Sequence, residues 1–283
     1  MTDADNTALR LFFAQLEANT GIRLDMEKSY LLRSRLTPLA RELGYADWLA
    51  FLHGLVTEPT EGSEERLWHA FEAVMTHETS FFRDSFHFDA LRELVLPHLI
   101  ESNAQKKSLR IWCAGVSTGQ EAYSIGILIR EHFPQLATWQ VEIIASDISK
   151  SVIERAQNGI FDEQEIQRGL SPDQVQLFFD RQLDGRYAVR KSSLPTVVFK
   201  AFNLTDEWPV APNFDIVLMR NVLIYFSAEL RQKIIDRLHP LINPQAGYLM
   251  LGATESILNN TLFKPVKLPR GVLFSTHLVQ PDK

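Results

Sequence analysis

The stretch Leu109–Ser124, LRIWCAGVSTGQEAYS, decides how the chain reads. Leu109, Ile111 and Cys113 alternate with Arg110 and Trp112, the period of a buried strand. Gly115 and Gly119 flank a tight turn of Val116, Ser117 and Thr118, after which Ile125, Leu128 and Ile129 recur at helical spacing. Strand, small-residue turn and helix together let backbone N–H groups and a helix N-terminus approach a nucleotide-like ligand. The spacing is G-x-x-x-G, not the dinucleotide G-x-G-x-x-G. Taken alone, the turn is equally an ordinary strand-to-helix connection.

Downstream, the rhythm repeats. VEIIASDIS (Val141–Ser149) is a strand ending in Asp147, and SVIERAQNGIF opens the next helix. Asp147 lies farther beyond Gly115 than the roughly 20 residues of the dinucleotide fingerprint, with room for one helix and one strand between them. An acid there either accepts hydrogen bonds from ribose hydroxyls or serves as a cap or loop acid for the helix starting near Ser149. Residues 162–180 read as helical, with Pro172 in a first-turn position. GRYAVRKSS and TVVFKAFNL alternate like two strands of an antiparallel ribbon, an insertion at about 181–202. FDIVLMRN (Phe214–Asn221) is a buried strand whose end carries Arg220 and Asn221, with Tyr225 close behind. A helix over Ala228–Leu241 and the strands GYLMLGA and GVLFSTHLV follow. Alternating strands and helices predict an α/β fold with a mainly parallel sheet covered on both faces. Ligands of such sheets bind outside the carboxyl ends of the strands, where Gly115–Gly119, Asp147 and Asn221 all fall.

Upstream there is no strand signal before residue 108. Leu9, Phe12, Phe13 and Leu16 share one face of a helix over 7–18, and Leu32, Leu36, Leu39, Ala40 and Leu43 form the stripe of another over 26–43. Two more helices are expected near Asp47–Leu55 and Glu64–Met75. Lys28, Arg33, Arg35 and Arg41 decorate the second helix, either as a solvated face or as a docking surface for an acidic partner. MTHETSFFRDSFHF (Met75–Phe88) links the two halves. His77 and Glu78 begin like a zincin H-E-x-x-H, but Phe81 stands at the fifth position, so no metal site is expected. Asp84 is expected to cap a helix carrying Phe88, Leu91, Leu94 and Val95. Phe81 and Phe82 read as core or interface residues, beside which Arg83 is out of place on a simple solvated surface.

Composition bounds these readings. The 283 residues allow two modest domains or one large one, 45% are hydrophobic, and the net charge of −6 argues against bulk nucleic-acid binding. The single cysteine, Cys113, excludes an intramolecular disulfide framework. No apolar run approaches the length of a membrane span, and MTDADNTALR has no signal-peptide pattern, so a cytoplasmic protein without direct membrane insertion is expected.

HETSFFR, WCAGVSTGQEAYS, ASDIS, FNL and RNVLIYF, in this order, resemble the chemotaxis-receptor glutamate methyltransferases, the CheR family. The resemblance covers nearly the whole chain. It implies a helical N-terminal domain over 1–76. Over 77–283 it implies a class I, Rossmann-like methyltransferase domain with an inserted antiparallel β-subdomain. The implied activity is transfer of a methyl group from S-adenosylmethionine to glutamate side chains of chemoreceptors in sensory adaptation, giving methyl esters and S-adenosylhomocysteine. Carried over position by position, it implies cofactor contacts at His77, Thr79, Arg83, Glu121, Asp147, Asn203, Leu204, Asn221 and Val222. His77 stands where some relatives have Asn, and Gln120 replaces a frequent acid.

For such a transfer the chemistry gives Arg83 a catalytic role, orienting the incoming carboxylate by charge-assisted hydrogen bonds, and Tyr225 either lines the methyl-transfer site or packs the strand end. Lys28, Arg33, Arg35 and Arg41 would dock on the cytoplasmic helical domain of the receptor, and a monomer is expected. Some members add a receptor C-terminal pentapeptide to the edge of the inserted subdomain, and these share a glycine-rich loop there. RQLDGRYAVRKSSLPTVVF (Arg181–Phe199) has only Gly185, and Pro195 offers no N–H, so independence from such a tether is expected. Two alternatives stay open: a methyltransferase for another carboxylate acceptor, and a cofactor-binding sensor or scaffold without turnover.

Overall fold

The computed structural model describes residues 2–24, 26–57, 59–257 and 260–277, with the Lys28 side chain left out. Leu278 and Val279, the end of the last expected strand, lie outside the described residues. The chain divides into two compact units: Met1–Thr76 with Tyr225–Leu230, and His77–Ile224 with Arg231–Lys283.

The first unit is helical: α1 (Asp3–Thr20), α2 (Ser29–Glu42), α3 (Trp48–Val56) and α4 (Ser63–Val74). Thr2 and Asp5 form a capping box at the start of α1, and Gly21, at φ 73°, ends it in the left-handed conformation. Most of the apolar stripes read from sequence are buried, Leu9, Phe12, Phe13 and Leu16 of α1 and Leu32, Leu36 and Ala40 of α2, whereas Leu39 is half-buried and Leu43, past the end of α2, is exposed. Phe12 meets Phe71 of α4 at a centroid distance of 5.5 Å. Asp47 caps α3 by accepting the Ala50 amide.

The second unit begins with a helical run, α5 (Phe86–Ala90), a π turn over Leu91–Val95 and α6 (Leu96–Ser102). Then come β1 (Ser108–Ala114), α7 (Gln120–His132), β2 (Gln140–Asp147), α8 (Lys150–Asn158), β3 (Ile160–Phe161), α9 (Glu163–Gln167), α10 (Pro172–Phe178), β4 (Phe179–Arg181), β5 (Tyr187–Val189), β6 (Thr196–Ala201), β7 (Ile216–Met219), α11 (Ala228–Leu238), β8 (Tyr248–Leu251), β9 (Lys264–Lys267) and β10 (Val272–Ser275). The large sheet has the order β6-β2-β1-β7-β8-β10-β9. β6, β2, β1, β7 and β8 run parallel, and β10 and β9 close that edge antiparallel. The sheet grows outward in both directions from β1 and β7, so its strand order reverses there, and the carboxyl ends of these two strands are where ligands of such sheets bind. Leu109, Ile111 and Cys113 of β1 join Ile143, Ala145, Ile216, Leu218 and Met250 in one continuous core. Trp112 points the other way and packs on Phe202, Trp208 and Phe214, its indole N–H donating to Ser146 Oγ at 2.9 Å.

The small antiparallel sheet has the order β3-β5-β4. This corrects the expected insertion at 181–202. TVVFKA is not a ribbon strand; as β6 it pairs parallel with β2 from Glu142↔Thr196 to Asp147↔Ala201. The second ribbon strand comes from before residue 181, because Phe179–Arg181 pairs with Tyr187–Val189. Alternation alone does not distinguish the edge of a large parallel sheet from a ribbon, since both expose one face. Asp84 is also corrected. Its carboxylate goes to Arg220 rather than to the α5 amides, and only its backbone carbonyl accepts the His87 N–H.

Candidate functional site

The turn after β1 is built as a backbone cradle. Gly115 and Val116 both donate to Ser146 O, at 2.8 and 2.9 Å, prolonging the β1–β2 ladder past the strand end. Gly115 sits at φ 76°, and a Cβ there would collide with the Val222 side chain. Only glycine fits, because both the conformation and the space exclude a side chain. Ser117 follows at φ 53°, its amide donating to Asp147 Oδ2 at 2.9 Å and its hydroxyl to His77 O at 2.9 Å. Gly119, at φ 96°, begins α7.

Asp147 ends β2 half-buried. Its Oδ1 accepts the Ser149 amide at 3.1 Å, while Ser149 itself caps α8 by accepting from Val152. The cap reading therefore belongs to Ser149, and Asp147 clamps the cradle to the next helix. Burial raises the Asp147 pKa above its ordinary value, opposed by the Ser149 and Ser117 amides and by His77. Each oxygen receives one backbone amide, and a carboxylate oxygen has a further lone pair for a hydroxyl donor.

Arg220, at the end of β7, reads from sequence only as a neighbour of Asn221, yet it is a hub. Its Nη1 donates to Glu121 Oε2 at 2.8 Å, and its Nη2 reaches Arg83 O and Asp84 Oδ2, the latter at 3.1 Å. The guanidinium lies over the Phe88 ring at 5.7 Å, and its Nε is buried without a partner. A sequence signal existed: an arginine directly after the buried run Ile216–Met219 has little access to water. Glu121 stands in the first turn of α7, and burial, together with the Glu121 charge, pushes the Cys113 thiol well up, leaving it inert.

Arg83 and its neighbours come from the loop before α5. Phe81 is buried against Phe161 and Phe179, anchoring the loop on the small sheet. Phe82, at φ 49°, and Asp84, at φ 54°, flank Arg83, whose Nη1 donates to Glu78 O at 2.6 Å. Thr79 and His77 are half-buried in the same loop. Asn221, at φ 59°, completes a group of non-glycine residues in left-handed conformation, with Phe82, Asp84 and Ser117, all on these loops. Such strain persists where the surroundings enforce it, and it gathers at ligand sites.

Asn203 and Leu204 follow β6. Phe202 donates to Asp147 O at 3.0 Å, bringing their segment alongside Asp147. Asn203 Oδ1 accepts the Thr205 amide, and Leu204 O accepts from Trp208 and Arg237. Tyr225 belongs with the helical unit, where its carbonyl accepts the Arg23 amide at 2.8 Å. Among the expected docking residues, Arg33 and Arg41 are exposed. Arg35 is not part of a free surface. Its Nη1 donates to Val74 O and Met75 O at 2.6 and 2.7 Å, satisfying carbonyls at the end of α4. Lys28 lies outside what is described of the side chains. Among the described residues no His, Cys, Asp and Glu cluster could hold a metal ion.

A parallel sheet with a glycine cradle after β1, an acid ending β2 and a rim from β7 defines an S-adenosylmethionine-binding domain of the class I methyltransferase type. The residues fit that cofactor. The cradle excludes side chains at Gly115, Asp147 offers acceptors for ribose hydroxyls, and carboxylates suit a ligand bearing an ammonium and a sulfonium.

Residues 77–272 match the family described as CheR methyltransferase, SAM binding domain, and residues 7–72 match CheR methyltransferase, all-alpha domain. Chemotaxis protein methyltransferase 1 of Pseudomonas aeruginosa is 39% identical over 260 residues, 90% of this chain and 92% of that protein. The chemotaxis protein methyltransferase of Vibrio parahaemolyticus is 38% identical, over 94% of this chain and 95% of its own length. The chemotaxis protein methyltransferase Cher2 of Pseudomonas putida is 37% identical, over 89% and 91%. The chain belongs to the CheR family of S-adenosylmethionine-dependent chemotaxis methyltransferases.

Proposed function

We propose that the chain methylates glutamate side-chain carboxylates of chemoreceptors, giving methyl esters. The observation that carries this reading is that both parts of the chain, all-alpha and cofactor-binding, match one family whose relatives are named chemotaxis methyltransferases.

Bound S-adenosylmethionine supplies a methyl group on a positively charged sulfur, and its transfer to a carboxylate oxygen leaves S-adenosylhomocysteine. A glutamate, with an ordinary pKa of about 4.3, is already ionised at neutral pH and needs no general base. What the protein contributes is alignment and exclusion of water. Asp147 would hold the ribose, Glu121 would face the ammonium with its charge moderated by Arg220, and Thr79, His77, Asn203, Leu204, Asn221 and Val222 would line the rest of the cofactor's place. Arg83 turns its remaining donors to the incoming carboxylate, orienting it rather than binding it tightly, since ground-state stabilisation would not help the rate. The exposed Arg33 and Arg41, with Lys28, meet the acidic cytoplasmic helices of the receptor. That substrate places the enzyme in the cytoplasm, and no helix among the described residues is long and apolar enough to cross a membrane.

The enzyme works without a pentapeptide tether. The outer strands of the small sheet, β3 and β4, have two and three residues, which leaves little edge for an added strand. Pro195 does not shorten that edge, because it precedes β6 of the large sheet.

The test is radiolabelled methyl transfer into membranes carrying the cognate receptor, with base-labile release of label as methanol. Label that is absent, or stable to base, overturns the ester reading. Micromolar binding of the receptor's free C-terminal pentapeptide, lost when the Gln182–Arg186 turn is altered, overturns tether independence.

A further inference from the structure

Glu255 lies outside every motif that carries the cofactor reading, in the segment after β8. Its carboxylate gathers three backbone amides. Oε2 accepts from Asn221 and from Gly252, both at 2.7 Å, and Oε1 accepts from Ile224 at 3.2 Å. The last ladder pair between β7 and β8 is Met219↔Leu251, so beyond it the two segments are no longer joined as strands. Glu255 takes over where the ladder stops. The approach is close: a side chain on Gly252 would lie 2.9 Å from the Asn221 amide and 2.7 Å from Glu255 Oε2.

Asn221 needs such a hold. At φ 59° it occupies a conformation that costs a non-glycine residue free energy unless its surroundings compensate. Its amide points at a carboxylate, an acceptor roughly twice as strong as a carbonyl. The next residue, Val222, fills the space beside Gly115. One carboxylate thus sets the arch Asn221–Ile224, and the arch sets the wall of the cradle after β1.

We propose that Glu255 is a positioning residue for methyl transfer, acting through Asn221 and Val222 on the place of the cofactor. The inference rests on the cofactor reading of that rim, but not on the identity of the methyl acceptor. Glu255→Gln is the decisive variant. It keeps the size of the side chain but replaces one acceptor oxygen with an NH2 group, which turns a donor toward a backbone N–H.

The experiment uses the full chain. S-adenosylmethionine affinity is measured by calorimetry, kcat and KM by methyl transfer, melting temperature by circular dichroism, and exchange of the Asn221 and Gly252 amides by NMR. E255Q is expected to weaken S-adenosylmethionine binding about tenfold or more. The melting temperature should change little, and exchange at these two amides should accelerate. Glu255→Ala should show the same loss of affinity in its folded fraction. Wild-type affinity in E255Q, or an affinity loss that merely follows the loss of folded protein, overturns the inference. A wild-type protein that binds S-adenosylmethionine but esterifies no receptor defeats the proposed acceptor instead, and leaves the binding comparison to decide Glu255.

Discussion

Glu121 and Arg220 meet at 2.8 Å with side-chain exposures of 13% and 3%, so the ion pair is nearly out of water. Arg220 also holds Asp84 and the Arg83 carbonyl. Removing one partner of such a pair strands the other charge, which costs about 3–5 kcal/mol. Arg220→Ala is therefore expected to destabilise the chain by roughly that amount. Arg220→Lys should remain folded yet bind S-adenosylmethionine more weakly, because an ammonium lacks the planar fork that reaches three acceptors. A double-mutant cycle with Glu121→Gln should couple by roughly 0.5–3 kcal/mol. Additive effects would make Glu121 and Arg220 independent.

Asp147→Ala should weaken S-adenosylmethionine binding by about 1.5–3 kcal/mol, the loss expected for a charged acceptor. Calorimetry reads this directly, and unchanged affinity would leave Asp147 as a clamp for the Ser117 and Ser149 amides alone. The raised pKa adds a pH signature. In the cofactor-free protein, burial of the ionised Asp147 costs stability, in full above its raised folded pKa, and that cost shrinks as pH falls below this value and is gone at the unfolded one. Cofactor affinity should move the opposite way, falling as the carboxylate protonates.

His87 is buried neutral. Its Nε2 donates to Leu251 O at 2.7 Å, and its pKa is lowered to about 4 by burial and then by the Arg220 charge. The unfolded chain takes up this proton near pH 6.5, the folded one only near pH 4. Stability is therefore whole above pH 6.5 and is lost as pH falls toward 4, by up to about 3 kcal/mol. Urea unfolding across that window should show the loss, and His87→Gln should flatten it.

Arg35 and its neighbours on α2 should behave differently. Arg35→Ala is expected to lower stability by about 1–3 kcal/mol, because it orphans carbonyls at the end of α4. Arg33→Ala with Arg41→Ala should leave the melting temperature alone. It should raise the Michaelis constant for receptor, more at low salt than at high salt. A Michaelis constant indifferent to both the substitutions and the salt would make these residues solvated surface.

Arg83→Ala should lower kcat strongly while stability changes by less than about 1 kcal/mol, since among the described residues the side chain makes one hydrogen bond, to the Glu78 carbonyl. Wild-type turnover in this variant would remove the orienting role.

Local pattern alone determined a good deal about this protein. The helical stripes of Leu9–Leu16 and Leu32–Ala40, the strand–turn–helix at Leu109–Ile129 and the buried strands ending at Asp147 and before Arg220 depend on periodicity and turn chemistry, which are written in neighbouring residues. Tertiary structure decided what depends on partners distant in the chain. TVVFKA alternates as a ribbon strand would, but β2 offered it a parallel partner at the edge of the large sheet. Arg35 reads as one more surface charge until α4 brings its carbonyls within reach. Asp84 has the composition of a cap, yet a buried guanidinium from 136 residues away competes successfully for its carboxylate. Glu255 carries no sequence signal at all. Its role arises only because the β7–β8 ladder ends beside it and leaves backbone amides that a carboxylate can satisfy.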